Sequence, residues 1–390
     1  MNRARFLVPL AALVLGIFAF IVVQGQGWMV NRDWFTYWGG GRGLLNGVNL
    51  YGPGDWAAVH RQYGSTWLEN PIFIYAPPTA AVFAPFAALS VELAGVLWVW
   101  LSEVLVVVSV WIMALELRWR AFGKYVPWLF LTLALFLPVL LTLLMGQVSA
   151  LSLALLVASA LLWNHSRWFS GGLVFGLLVV KPQPVILVMP LMALWLLIHR
   201  RWQGLFGLAL LLGLNALGSW LLYPSFLSDW LATVTNKVGG VISRMPTVWG
   251  IAYGLVPGSP AQLWTAPVLA VAILVFGIIV VLRWRGTVLQ LMSTLVVLSV
   301  LATLYLWNYD RVLLLMPLIV ALAQLDQRGV PRPALVLVLL GMDILAIALF
   351  AIASVRLRDT FGVLITLASG LLLWVSLQQS RSAAAVELDT

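Results

Sequence analysis

Apolar runs of about 20 residues, the length that crosses the hydrocarbon of a bilayer, recur along almost the whole chain. The first extends from Phe6 to Val23 behind a short basic head, Met1 to Arg5. Further runs lie at approximately 91–116, 126–145, 148–163, 169–180, 184–198, 203–223, 261–282, 287–306, 312–323, 334–354 and 360–377. The short alternating segments of a β-barrel are absent. The pattern predicts an all-α polytopic membrane protein, a bundle of about 12 transmembrane or re-entrant helices. No soluble domain, linker or fixed-period repeat interrupts it, so residues 1–390 read as a single integral membrane domain.

Sidedness follows from the flanks. No small-residue cleavage site follows the first run, which therefore reads as an uncleaved helix with its N-terminus in the cytoplasm. An even number of spans places both termini inside and makes residues 24–78 the first extracytoplasmic loop. A second such loop covers 224–260, and 378–390 form a cytoplasmic tail. Arg118, Arg120, Lys124, Arg200, Arg201, Arg283 and Arg285 then fall in short cytoplasmic turns, as the positive-inside bias requires. The compact chain suits a plasma membrane. Two polar breaks stand out, Lys181-Pro182-Gln183-Pro184 and Trp307-Asn308-Tyr309-Asp310-Arg311. Paired prolines end a helix, and irregular backbone at membrane depth survives only inside protein or beside a water-filled cavity. Both breaks fall on the same side as the first loop, which argues for one shared site there.

Composition narrows the chemistry. With 63% hydrophobic and 9% charged residues the chain lies far from globular norms, and its formal charge of +9 belongs to membrane-flanking loops, not to nucleic-acid binding. There is no cysteine, hence no disulfide framework, thiol nucleophile or thiolate metal site. His60, His165 and His199 have no metal-ligand spacing, and neither an HExxH motif nor a Walker loop occurs. No cofactor is expected.

The stretch Asn31-Arg32-Asp33-Trp34-Phe35-Thr36-Tyr37-Trp38-Gly39-Gly40-Gly41-Arg42 begins where the first helix leaves the membrane. Asp33 reads as a helix cap, as a partner for Arg32 or Arg42, or as a base that takes a proton from a hydroxyl. Trp34, Tyr37 and Trp38 read as interfacial anchors or as sugar-stacking faces, and His60 is a further polar group of the same loop. Lys181, inside a long apolar stretch, either snorkels to headgroups or meets an anion in a cavity. Arg311 has a similar case, unless adjacent Asp310 neutralises it. Arg244, in the second loop, is a third candidate cation. Gln147 caps a helix or donates to a sugar or phosphate oxygen. Asp310 positions a hydroxyl or pairs with Arg311. Glu103 and Asp343 lie within spans and read as interhelical hydrogen-bonding groups or a proton pathway.

The stretch from Asp33 to Tyr51, followed by Tyr75-Ala76-Pro77-Pro78, Gly146-Gln147, Gly176-Leu177 with Lys181-Pro182-Gln183, and Tyr309-Asp310, resembles glycosyltransferase family 87 over roughly residues 28–325. Those proteins are polyprenol-phosphate-mannose-dependent α-mannosyltransferases of the GT-C superfamily. This chain departs from them in having alanine inside the Tyr-Pro-Pro element and glycines where alanines are common. The resemblance implies an inverting hexosyltransferase using a polyprenyl-phosphate sugar, mannose first, and a lipid-linked or glycolipid acceptor. Asp33 is then the general base, and Lys181, Arg311 and Arg244 are the cations for the donor phosphate. Trp34, Tyr37, Trp38, Gln147, Gln183, Tyr309, Asp310 and His60 are the groups for sugar and acceptor. The alternative is a polytopic transporter or lipid flippase, which predicts inverted repeats and midplane charges instead of polar clusters at one face.

Overall fold

The computed structural model describes residues 29–66, 72–255, 261–356 and 358–388, and the first apolar run at 6–23 lies outside them. The described residues are all-helical, with no strand. A small layer comes first: α1 (Asp33–Leu45), α2 (Pro53–Gln62) and α3 (Pro77–Ala87). Then follow α4 (Val91–Glu116), α5 (Phe122–Leu135), α6 (Leu137–Met145), α7 (Ser149–Asn164), α8 (Trp168–Gly176) and α9 (Val188–Ile198). The second half holds α10 (Trp202–Leu222), α11 (Phe226–Val241), α12 (Val248–Leu255), α13 (Ala261–Arg283) and α14 (Val288–Ala302). It closes with α15 (Leu315–Gln327), α16 (Arg332–Arg356) and α17 (Val363–Leu388).

Six of these stretches are long and apolar enough to cross a bilayer, and the bent pair α5–α6 makes a seventh. Four shorter apolar helices occupy the remaining expected runs among the described residues. The runs at 148–163, 169–180, 184–198 and 287–306 fold as α7, α8, α9 and α14, of 16, 9, 11 and 15 residues. At 1.5 Å per residue, even 16 residues reach only roughly 24 Å, short of a ~30 Å hydrocarbon core. Local chemistry sets these lengths. The predicted helix 126–145 turns by 55° between α5 and α6, where Pro138 occupies the first turn of the second piece. The chain leaves helical geometry again at Lys181, between short 3-10 turns at Leu177–Val180 and Gln183–Val185.

Burial sorts the helices into centre and rim. The stretch Asn308–Gln327, which contains α15, is 89% buried and forms the axis of the bundle against α14, α17 and α4. By contrast, only 17% of the apolar windows in α10 and α13 is covered, so Trp220, Leu221, Trp264 and Val268 point outward, as lipid-facing residues do. A second core, rich in aromatic rings, sits under the α1–α3 layer, with Trp34, Phe35, Tyr37, Trp56, Phe73, Phe83 and Trp98 all buried. The glycine run of α1 is what lets that layer close. A Cβ on Gly41 would lie 2.8 Å from the Phe83 carbonyl of α3, and one on Gly40 would lie 2.6 Å from the Phe73 ring.

The same device joins α8 to α10. A Cβ on Gly172 would land on the Gly204 carbonyl oxygen, and one on Gly207 on the Phe169 carbonyl oxygen. Within a membrane, where apolar burial gives helices little reason to associate, such backbone approach is a main source of cohesion. Gly172→Leu is expected to cost about 1–3 kcal/mol by overpacking, read as a lower thermal midpoint in detergent. Gly213→Leu, whose Cβ meets nothing within 4 Å, should leave the midpoint unchanged.

Candidate functional site

Asp33 opens α1. Arg32 before it is extended, at φ −138° and ψ 172°, and the helix starts directly after, so the carboxylate lies in the first turn, where the helix dipole favours negative charge. Asp33 forms part of the wall of a cavity of about 540 Å³. Thr36 joins it from the same helix, Ile72, Ile74 and Tyr75 from the segment before α3, and Leu141 and Met145 from α6. The other contributions are Arg244, the 305–309 segment, Phe350, Ala353 and Ser354 of α16, and Arg358 with Asp359.

Directly behind Asp33 is Gln147, and a helix terminator puts it there. Gly146 ends α6 in the left-handed conformation, φ 64°. The Gly146 amide donates to the Leu143 carbonyl and the Gln147 amide to the Thr142 carbonyl, a Schellman closure that satisfies two carbonyls of the last turn. No other residue type fits: besides the positive φ, a Cβ on Gly146 would lie 2.6 Å from that of Trp34. The Gly146 carbonyl also accepts the Trp98 indole N–H at 3.0 Å. Gln147 Nε2 then donates to Asp33 Oδ2 at 2.5 Å.

Gln147 Oε1 accepts from Tyr37 Oη and from Lys181 Nζ, each at 2.6 Å. Burial raises the Tyr37 and Tyr75 phenols well above their ordinary value, so both stay protonated, and Tyr75 Oη lies 2.7 Å from Tyr37 Oη. Lys181 divides its three N–H donors among Gln147 Oε1, Ser149 Oγ at 3.1 Å and Asp310 Oδ1 at 2.6 Å. Ser149 donates in turn to the same Asp310 oxygen at 2.7 Å, and the Trp307 amide donates to Asp310 Oδ2 at 3.1 Å. Two hydroxyl-to-backbone bonds tie the breaks to neighbouring helices: Thr79 of α3 donates to the Val180 carbonyl and Thr142 of α6 to the Tyr309 carbonyl.

These contacts change several sequence expectations. Lys181 is 3% exposed and paired with Asp310, so it neither snorkels nor stands on the cavity wall. Asp310 pairs with Lys181 and not with its neighbour Arg311. Arg311 is wholly buried and binds Asp359, Asn308 and the Gly362 carbonyl. Trp34 and Trp38 belong to the aromatic core, where their indoles donate to the Val91 and Leu89 carbonyls, so neither presents a face to the cavity. His60 is held edge-on between Phe35 and Trp56, with no hydrogen-bond partner at either ring nitrogen among the described residues. Gln183 is half-buried in its 3-10 turn and away from the cavity wall. Tyr309 and Arg244 do line the cavity with Asp33.

Sequence reasoning passed over Arg358, Asp359, Ser149 and Tyr75 as individual site groups. For Arg358 and Asp359 a signal existed, since the polar Arg356-Leu357-Arg358-Asp359 break falls on the side of Asp33 in the sequence topology. The Asp359 amide donates to the Arg244 carbonyl at 3.1 Å, so the segments bearing the two exposed arginines are joined. Ser149 carries no such mark. Its role depends on where Lys181 ends.

The model of a known family, glycosyltransferase family 87, matches residues 73–306. The matched residues include Tyr75, Gln147, Lys181 and Arg244 and leave Asp33, Asp310 and Arg358 outside. No curated protein and no solved structure matches the chain.

Two predictions follow from the buried charges. Lys181→Met leaves the Asp310 carboxylate buried without its cation and should lower stability by about 3–5 kcal/mol. Lys181→Met with Asp310→Asn should recover part of that loss in thermal unfolding. Burial lowers the His60 imidazole from 6.5 to about 4, so the unfolded chain takes up its proton at a higher pH than the folded one. Stability should therefore decline as pH falls from about 6.5 towards about 4, with no further loss from this group below that. His60→Phe should flatten that part of a melting-temperature profile against pH.

Proposed function

The chain belongs to glycosyltransferase family 87, and from that premise we propose that it transfers a hexose from a polyprenyl-phosphate sugar to a lipid-linked or glycolipid acceptor. Mannose is the sugar favoured by the family resemblance, and the extracytoplasmic face of the plasma membrane is the side. The observation that carries this reading is one cavity bearing a carboxylate at a helix start, two exposed arginines and apolar walls.

In this reading Asp33 is the general base. An acceptor hydroxyl gives its proton to the carboxylate while its oxygen attacks the anomeric carbon, and the bond from that carbon to the phosphate oxygen breaks on the opposite face. One displacement inverts the configuration and needs one base. The departing polyprenyl phosphate gains negative charge, and Arg244 and Arg358 are the cations assigned to it. Lys181 and Arg311 are withdrawn from that role, because each is sequestered in a buried ion pair. Leu141 and Met145 of α6, with Phe350 and Ala353 of α16, supply an apolar border suited to the first isoprene units. Tyr309 and Asn308 are polar groups of the same wall for sugar hydroxyls.

Transfer of radiolabelled mannose from its polyprenyl phosphate to membrane lipids tests the assignment. Wild type should generate a labelled glycolipid, and Asp33→Asn, nearly isosteric, should lose activity by at least about 10³-fold while remaining folded. Arg358→Ala and Arg244→Ala should each raise the donor KM by about 10-fold or more, as expected for a lost charge-assisted hydrogen bond of about 1.5–3 kcal/mol. Full transfer by Asp33→Asn would remove the base, and unchanged donor KM in both arginine variants would move the phosphate elsewhere.

A further inference from the structure

A carboxylate that is to work as a base has to be held still without being neutralised. A lysine in direct contact with Asp33 would orient it but would also stabilise its charge and blunt its proton affinity. Here an amide stands between the two. Lys181 Nζ reaches Gln147 Oε1 at 2.6 Å, and Gln147 Nε2 reaches Asp33 Oδ2 at 2.5 Å.

The orientation of that amide is fixed by what surrounds it. Its oxygen accepts from the Tyr37 hydroxyl and from the Lys181 ammonium, which can only donate, and its nitrogen faces a carboxylate. Turning the amide over would set its N–H groups against the ammonium and its carbonyl against Asp33, so only one arrangement satisfies both charged partners. Gln147 is itself fully buried and anchored by the Schellman closure at Gly146. Asp310, with both oxygens engaged, holds the lysine on the far side of the amide.

We propose that Gln147 is the positioning residue of the base: it fixes the Asp33 carboxylate towards the cavity, with its own orientation imposed by Tyr37 and by Lys181, whose charge Asp310 confines. The inference rests on the reading of Asp33 as general base and extends it. Gln147 donates to the carboxylate of Asp33, so its loss should disfavour the ionised form and remove a hydrogen bond that orients the group. Donor binding, assigned to Arg244 and Arg358, should be little touched.

The test is the pH profile of transfer by the full chain in detergent or vesicles, with polyprenyl-phosphate mannose as donor probe. Gln147→Met should lower kcat by about 10²-fold, the scale of a misplaced reacting group. It should also move the acidic limb of kcat/KM upward by about one pH unit and leave donor KM within about twofold. Tyr37→Phe keeps the ring in its aromatic setting and removes one of the two donors to Oε1. It should shift the limb in the same direction by less, and it serves as the readout if Gln147→Met fails to fold. A lower kcat with the acidic limb unmoved in both variants would make Gln147 a structural residue and overturn the proposal. Asp33→Asn, run beside them, separates the two levels. If it is inactive while Gln147→Met keeps the wild-type rate and limb, the positioning role alone falls. If Asp33→Asn retains the wild-type rate and limb, the base assignment falls and this inference with it.

Discussion

Lys181 and Asp310 are buried together inside a helical bundle, and an ion so placed costs several kcal/mol unless its partners are all in position. The pair meets that demand with every available bond. Lys181 uses its three donors on Asp310, Ser149 and Gln147, and Asp310 takes back hydrogen bonds from Ser149 and the Trp307 amide. Because these residues come from three separate stretches of chain, the requirement to satisfy one ammonium draws together the α6–α7 junction, the 181–184 break and the 307–311 break. The Gln147 amide joins Asp33 to this assembly. The site's geometry is thus a consequence of electrostatic satisfaction at a depth where water cannot substitute.

Backbone proximity is the second constraint. Glycines at 40, 41 and 146 let α1 settle against α3 and against the end of α6 with nothing between, which brings Asp33 within hydrogen-bonding distance of Gln147. The aromatic rings beneath α1 form a packed slab, with Trp34 stacked on Trp98 and Phe83 edge-on to both. The proposed base, built on such a platform, is positioned by rigid packing and not by loop closure. The substrates of the proposed reaction, a lipid-linked donor and a lipid-borne acceptor, are left to the cavity side. There the walls are apolar and the arginines are exposed.

A second buried pair, Arg311 with Asp359, braces the far side of the same cavity wall. It ties the short turn before α17 to the turn before α15, next to the arginines that the proposed reaction uses. The two adjacent charges Asp310 and Arg311 therefore turn away from each other and serve two different junctions. In a 3-10 turn, successive side chains point roughly 120° apart, so sequence neighbours do not share partners.

The sequence alone carried the membrane class, the all-helical architecture and the family, since hydropathy length and local motifs are one-dimensional quantities. It also marked Asp33 and Tyr309 as candidates for one site, through polar breaks expected on one side of the apolar runs, and Arg244 as a candidate cation in the second loop. The helix lengths were less legible. Whether 15 apolar residues form a full crossing or a short inner helix depends on burial by other helices, as for α14. Residue roles were least legible of all. Lys181 looked like a cation for phosphate, Asp310 like a partner for Arg311, and Trp34, Trp38 and His60 like parts of a sugar site. Only the tertiary structure paired Lys181 with Asp310, sank the aromatic side chains into a core and brought Arg358 to the cavity. The physical reason is that a charge inside a membrane takes its meaning from the group that neutralises it, and that group is chosen by contacts between residues far apart in the chain.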